Sequence, residues 1–371
     1  MNQAKTAALL WMSERIGPAA QRKVMDQGGL EGFFERTESE WIALGLSPEE
    51  AVKLAERKNR ERLDSRLETL ERRDVRILIE TDADWPVSSV PEALPPILFA
   101  RGRATHSRPG LAVVGSRKPS AYGLEIARAI GREAGLRGVA LVSGAALGID
   151  MASHEGALDA KGTTLAVLGC GILVAYPPQA KELLDRIADQ GMVLSQFFPE
   201  MEPRVETFPI RNKTIAALSE SVVAVEGTLT SGTRHTVRFA REFGLRVFAV
   251  PGEITRPQAA LPNRLLAEGA LVVTHPADPV DPLRRKGASQ LDLTFGADPK
   301  EKVVQAAEVP DSPLMRRLLD EIRQGRVTVD ELLSLDLAPA GELNEALLAL
   351  ELGAWVRQEP GRRYAPTLKR R

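Results

Sequence analysis

The segment Leu111-Ala112-Val113-Val114-Gly115-Ser116-Arg117-Lys118-Pro119-Ser120-Ala121-Tyr122-Gly123 decides the fold class. A continuous apolar run too short for a helix breaks at a glycine, passes through a polar turn and enters a helical pattern. That is the strand-turn-helix signature of an α/β sheet covered on both faces. Gly115 permits a tight turn, Ser116 and Ser120 offer hydroxyls, Arg117 and Lys118 offer cations, and the helix start offers N–H donors. Together they suit an oxyanion.

The same grammar recurs downstream. Val139-Ala140-Leu141-Val142, Thr164-Leu165-Ala166-Val167-Leu168, Met192-Val193-Leu194, Ser221-Val222-Val223-Ala224-Val225, Arg246-Val247-Phe248-Ala249-Val250 and Ala270-Leu271-Val272-Val273 read as further strands separated by helices. The expected fold is a Rossmann-like, doubly wound, mostly parallel sheet whose ligands bind beyond the strands' carboxyl ends. Three more loops therefore need close reading. Ser143-Gly144-Ala145-Ala146-Leu147-Gly148-Ile149-Asp150 allows close approach of a ligand, and Asp150 sits four residues before His154 on the next helix. With no nucleophile nearby, helix capping by Asp150 and a local bond from His154 is the better reading of that pair. Phe208-Pro209-Ile210-Arg211-Asn212-Lys213 sets an aromatic beside two cations and an amide, so a base could stack while a phosphate is held; a core Phe208 with Arg211 in a surface ion pair is the alternative. Ser231, Gly232 and Thr233 form a small-residue turn that either cradles an anion or ends a strand.

Composition bounds the rest. At 371 residues the chain suggests two or three domains, and 27% charged residues nearly cancel at a net charge of −1. A DNA site, if present, must be local rather than spread over a basic surface. The single Cys170, between Gly169 and Gly171, excludes an internal disulfide framework and reads as a packed residue. No zinc-site spacing occurs, so no metal is expected. Ala7-Ala8-Leu9-Leu10-Trp11-Met12 is too short for a membrane span or signal h-region and reads as a core helix, which suits a cytoplasmic protein. Neither a second and third fingerprint glycine nor a G-x-x-x-x-G-K-[ST] follows the first strand, which speaks against a dinucleotide oxidoreductase and a P-loop ATPase.

The expected organisation is a helical module over 1–78, the core over 79–285, a linker over 286–311 and a winged helix over 312–371. In the first, Ile16-Gly17-Pro18 and Leu44-Gly45-Leu46-Ser47-Pro48 look like paired turns opening helices, loosely like helix-hairpin-helix or SAM-like domains. In the last, two basic residues between Arg326 and Arg357 face six acidic ones, Asp330, Glu331, Asp336, Glu342, Glu345 and Glu351. Major-groove docking is disfavoured there, and a partner-protein or self-association surface is expected. Arg362, Arg363, Lys369, Arg370 and Arg371 leave open a weak tail contact with DNA.

Four ordered motifs resemble the DprA (Smf, DNA-processing A) family: Gly-Ser-Arg-Lys-Pro-Ser at 115–120; Ser-Gly-x-Ala-x-Gly-Ile-Asp at 143–150 with His154; Gly162 to Gly171 with Tyr176-Pro177; and Phe-Pro-x-Arg-Asn at 208–212. Val250-Pro251-Gly252 and Asn263-x-x-Leu266-x-x-Gly269-Ala270 extend the likeness. The resemblance implies a non-enzymatic, cofactor-free core that binds single-stranded DNA, forms a homodimer and helps load RecA recombinase in natural transformation. Gly115, Ser116, Arg117, Lys118, Ser143, Gly144, Gly148, Phe208, Arg211 and Asn212 carry over by motif. Ser195-Gln196, Lys213 and the run from Ser231 to Val237 depart from the family pattern. The enzyme-class alternative is a LOG or lysine-decarboxylase-like nucleotide phosphoribohydrolase, whose Pro-Gly-Gly-x-Gly-Thr-x-x-Glu signature Glu226 to Thr233 does not match.

Overall fold

The computed structural model describes residues 3–56, 61–103, 109–284, 312–324, 328–352, 355–359 and 363–366. The linker expected over 286–311, the turn Pro360-Gly361 and the basic residues Arg362, Lys369, Arg370 and Arg371 lie outside them. Two compact units are present, Met1–Ala288 and Ser289–Arg371.

The first unit opens with five helices: α1 (Gln3–Arg15), α2 (Pro18–Asp26), α3 (Glu38–Ala43), α4 (Pro48–Ala55) and α5 (Glu61–Arg72). The Ala7–Met12 run is buried core, as its apolarity requires, and Trp41 packs against Phe33 inside the same cluster. The paired turns do open helices at Pro18 and Pro48. At the second, Ser47 accepts from Glu50 N–H while the Glu50 carboxylate accepts from Ser47 N–H at 2.9 Å. That capping box fills the N-terminal donors of α4 from within the chain and places an acid where a phosphate would sit.

A nine-stranded sheet follows in the order β1-β2-β6-β5-β4-β3-β7-β8-β9. The strands are β1 (Val75–Leu78), β2 (Leu98–Gly102), β3 (Gly110–Val114), β4 (Leu141–Ser143), β5 (Thr164–Val167), β6 (Met192–Ser195), β7 (Ser219–Ala224), β8 (Arg246–Ala249) and β9 (Leu271–Val272). Between them run α6 (Ala121–Leu136), α7 (Ile149–Asp159), α8 (Lys181–Gln190), α9 (Thr207–Ala217), α10 (Thr233–Glu242) and α11 (Ala260–Ala267), with α12 (Asp281–Arg284) after the last strand. Strands β3 to β9 are mutually parallel, and β3, β4, β5 and β6 are buried at every position. The seven apolar runs of the sequence are these strands.

The sequence reading missed β1 and β2, which add to the edge antiparallel, β2 on β6 and β1 on β2. Between β1 and β2 the only helical piece is a single 3-10 turn at Pro91–Ala93, with no α-helix. They are joined by an irregular stretch containing Pro86, Pro91, Pro95 and Pro96, so the strand-helix alternation that exposes the others is absent.

The chain turns from one half of the sheet to the other between β6 and β7, and β3 and β7 lie side by side where the two halves diverge. Helix crossovers on either side of that switch leave a crevice at the strand ends. His154 on α7 is fully buried and its Nδ1 lies 2.6 Å from Thr164 Oγ1, which itself donates to the Leu141 carbonyl at 3.2 Å. The hydroxyl's proton is thus committed, so Nδ1 donates. The ring ties α7 to β5 and β4 rather than forming the local bond expected, and no acid-base dyad is made.

The second unit holds α13 (Pro313–Arg323), α14 (Val329–Leu333), α15 (Ala340–Leu352) and the antiparallel pair β10 (Val356–Glu359) and β11 (Arg363–Pro366). Three helices and a two-stranded wing enclose a separate core around Leu318, Leu332, Leu347 and Trp355. This is the winged helix expected.

Burial lowers the His154 pKa from 6.5 to about 3. A depressed folded-state pKa means that the unfolded chain binds the extra proton first, so stability is full above pH 6.5 and falls as pH drops toward 3. Between pH 7 and pH 5 the native chain should lose about 2 kcal/mol more stability than His154→Asn, read from urea unfolding. Equal losses would assign the acid sensitivity elsewhere.

Candidate functional site

A groove of about 710 Å³ lies at the switch between β3 and β7. It is lined by Gly115 to Lys118 after β3, by Phe208, Arg211 and Asn212 of α9, and by Ser231, Gly232, Thr233, His235 and Thr236 at the start of α10. Tyr176 and Val205 complete its mouth. All four loops singled out in the sequence thus contribute lining residues, the one that begins at Ser143 through Ala146 and Asp150, and Asp150 is the single acid among them.

The first wall is the turn after β3. Gly148 has φ +87°, a conformation side-chain-bearing residues avoid, and a Cβ there would lie 2.5 Å from the Ser116 carbonyl oxygen. That close approach lets Ile149 N–H donate to Ser116 O at 3.2 Å, fixing the turn on the start of α7. Ser116 Oγ accepts from Lys118 N–H at 3.0 Å, which closes the turn on itself and leaves Arg117 and Lys118 exposed. The start of α6, by contrast, does not offer the donors expected of it. Ser120 caps it by accepting from Gly123 N–H at 3.1 Å, and Ser120 N–H and Oγ donate to the Glu226 carboxylate at 2.9 and 2.5 Å. A buried internal carboxylate already sits there, so Ser120 serves the fold.

The second wall depends on Arg211, which is 4% exposed. Its Nη1 donates to the carbonyls of Gly144 at 2.8 Å and Val167 at 2.6 Å, and its Nε to Asn212 Oδ1 at 3.0 Å. A Cβ on Gly144 would lie 2.5 Å from the guanidinium, so only glycine lets the loop lie against it. Burial pulls the Arg211 pKa down to about 10 against the opposing pull of Asp150. Burial likewise raises the Asp150 carboxyl, with Arg211 and loop N–H groups opposing the rise. Asp150 is not the helix cap, which is Gly148; it accepts from Ala146 N–H at 3.4 Å beneath the groove. Asn212 Nδ2 reaches the Gly232 carbonyl at 3.4 Å and links α9 to the turn before α10. Arg211 is therefore neither a surface ion pair nor a free cation.

Phe208 is half-buried against Gly169, with the Arg117 guanidinium 4.9 Å from its ring centroid and that of Arg211 at 5.8 Å. Tyr176 stands 5.8 Å away, tilted 45° and 37% exposed. Two aromatics and an exposed arginine form a platform suited to a flat base. The sequence reading quoted Tyr176 in a motif without assigning it to the site; its proximity to Phe208 arises from loops 32 residues apart.

The third wall is the start of α10. Gly232 and Thr233 N–H groups have no acceptor among the described residues, and Ser231 Oγ is buried without a partner. A ten-residue helix with open first-turn donors favours an anion at that end. Around the groove Lys118, Arg204, Lys213 and Arg234 are exposed and make no salt bridge among the described residues, whereas Arg128, Arg137, Arg241, Arg256 and Arg264 elsewhere do. Lys213 follows Asn212 on α9 and is exposed, but is not itself a lining residue. Ser143 is fully buried, its Oγ donating to Val113 O at 2.6 Å, so it supports the wall from behind. Cys170 is buried and its thiol is pushed up to about 11, which leaves it unreactive. Among the described residues no group of three His, Cys, Asp or Glu could hold a metal ion, and no helix is long and apolar enough to cross a membrane.

Residues 76–284 match the family model of DNA recombination-mediator protein A, and residues 303–362 that of the DprA winged helix domain. Protein Smf of Synechocystis sp. is 29% identical over 401 aligned positions, covering 98% of this chain and 99% of its own. Protein Smf of Escherichia coli is 36% identical over 271 positions, covering 72% and 71%. The X-ray structure of DNA processing protein A from Streptococcus pneumoniae superposes with a TM-score of 0.61 at 29% identity, over 72% of this chain and 94% of that one.

Breaking a buried charge network by removing one partner typically costs about 3–5 kcal/mol, while an exposed substitution stays within about 0.5 kcal/mol. Chemical denaturation of the full chain should therefore separate the two arginines. Arg211→Gln is expected to lose about 3 kcal/mol or more, and Arg117→Ala almost nothing. Equal stabilities would mean that Arg211 does not hold the loops.

Proposed function

The chain belongs to the DNA recombination-mediator protein A family, and on that premise we propose that the groove binds single-stranded DNA. The observation that carries this reading is the exposed Arg117 over the Phe208 ring in a groove with one acid in its lining. Phosphates meet Arg117, Lys118 and the open end of α10 at Ser231, Gly232 and Thr233, while a base stacks on Phe208 beside Tyr176. Gly115, Ser116, Gly144, Gly148, Arg211 and Asn212 shape the groove, and Lys213 extends its positive rim. Recognition runs through backbone charge and one aromatic surface, so sequence preference is low.

The proposed role is to protect incoming DNA and help load RecA recombinase in natural transformation, as a cytoplasmic homodimer without catalysis or cofactor. The edge strand β9 supports self-association, since Leu271 and Val272 are 47% and 48% exposed on an unpaired sheet edge. Against the phosphoribohydrolase alternative, Glu226 is turned into the α6 start, and the one acid in the lining, Asp150, is buried and accepts from Ala146 N–H. The proposed organisation is the helical module, core, linker and winged helix expected over 1–78, 79–285, 286–311 and 312–371, except that β1 (Val75–Leu78) pairs into the core sheet and ends the helical module before it. In the last, Glu342 and Glu345 are exposed on α15, the helix that would meet a major groove.

Binding of oligo-dT should exceed that of a duplex of the same length and fall with salt by about 0.7 in log K per log salt for each phosphate held. Arg117→Ala should weaken oligo-dT binding about tenfold or more, and Phe208→Ala by about 1–3 kcal/mol. Indifference to strandedness and salt would reject the reading. Deleting residues 312–371 should leave oligo-dT affinity unchanged, and its loss would move part of the DNA site into the winged helix.

A further inference from the structure

The sheet ends, away from β9, in β1, which pairs with β2 alone. Alternate residues of an antiparallel edge strand turn N–H and C=O away from the partner. Beside that edge runs a groove of about 800 Å³, larger than the one at the strand ends and bounded by β1, the first turn of α1, one face of α5 and the turn at 82–84. Its floor is apolar, with Leu70, Ile77 and Leu78 buried and Leu67 half-buried.

One wall is acidic. Asp64, Glu68 and Glu71 project from α5 at helical i, i+4 and i+7 positions and Asp74 follows the helix; all four are exposed and make no salt bridge among the described residues. The arginines of the groove do not offset them. Arg76 pairs with Asp84 and donates to the Gly102 carbonyl, and Arg103 Nε lies 3.8 Å from the same Asp84. The lining of this groove thus sets six acids against two arginines, the reverse of the other groove's one acid against Arg117, Lys118 and Arg211.

That balance selects the occupant. Nucleic acid is repelled, and a symmetric contact with a second copy would set these carboxylates against themselves. A chain adding to β1 presents every second side chain on one face about 6.7 Å apart, close to the rise of about 6 Å between helix residues four apart. We propose that this groove docks an extended, lysine- or arginine-bearing segment of a partner protein, added as a strand to β1 with its cations toward Asp64, Glu68, Glu71 and Asp74. Backbone pairing supplies the register and the carboxylates supply the selectivity. The proposal stands on its own, apart from the DNA-binding reading.

A fluorescein-labelled Lys-Val-Lys-Thr-Lys-Val-Lys peptide titrated against the full chain tests it by anisotropy. The chain should bind this peptide and not its glutamate-for-lysine counterpart. The D64N/E68Q/E71Q/D74N chain should bind about tenfold more weakly, and E342Q/E345Q on the winged helix as tightly as the parent. Thermal melts check that each variant folds; should the fourfold variant fail, D64N/E68Q serves with a smaller loss of about threefold. Hydrogen exchange at 75–78 should slow in the presence of the peptide. No binding by the parent, affinity that survives removal of the α5 carboxylates, loss caused instead by E342Q/E345Q, or binding without slowed exchange at 75–78 would each overturn the proposal.

Discussion

A buried guanidinium that donates to two backbone carbonyls at the strand ends sets the geometry on which the main groove rests. Arg211 joins the ends of β4 and β5 through Gly144 and Val167, holds its own neighbour Asn212, and lies opposite the buried Asp150. Such a charge tolerates burial only because carbonyls and a carboxylate replace its water. Once it is in place, the first turn of α9 is fixed, and with it Phe208. Arg117 can then lie over that ring from the opposite wall. The exposed cation is left open to the groove; the buried one fixes the wall it lies against.

The near-zero net charge conceals a division of labour. Many of the surface arginines are paired with neighbouring carboxylates, so they contribute little field beyond a Debye length. The cations around the strand ends are left unpaired, and Glu226, which would oppose them, is drawn into the start of α6. A carboxylate used as an internal helix ligand costs the groove one set of donors but removes a negative charge from its lining. The edge at β1 reverses the pattern: its two arginines pair with Asp84, and the α5 carboxylates make no salt bridge among the described residues. Two grooves with opposite charge balance in their linings thus lie on one unit.

Strand-helix alternation and the position of the glycine turns were legible in the sequence because short apolar runs and backbone exceptions are local properties. The seven parallel strands, the winged helix and the loops at 115, 208 and 231 follow from them. Residue roles within those loops were less legible. Arg117 and Arg211 read alike as cations beside turns, yet one is exposed and the other is 4% exposed. Ser120 reads as a hydroxyl for a ligand and Ser143 carries over by motif, yet each side chain bonds within the fold, one to Glu226 and one to Val113. Nothing within a few residues of either serine distinguishes the two uses, since the partner lies 106 and 30 residues away.

By itself, then, the sequence determined which segments become strands, where the chain must turn, and that any polyanion site must be local on a chain of net charge −1. Only the tertiary structure decided which polar groups remain free. It brought Tyr176 beside Phe208, filled the α6 start with a carboxylate, buried Arg211, and added β1 and β2 to give the sheet an open acidic edge. The reason is physical. Element formation depends on periodicity and backbone freedom within a few residues, whereas desolvation and hydrogen-bond satisfaction depend on neighbours that meet only when the sheet is assembled.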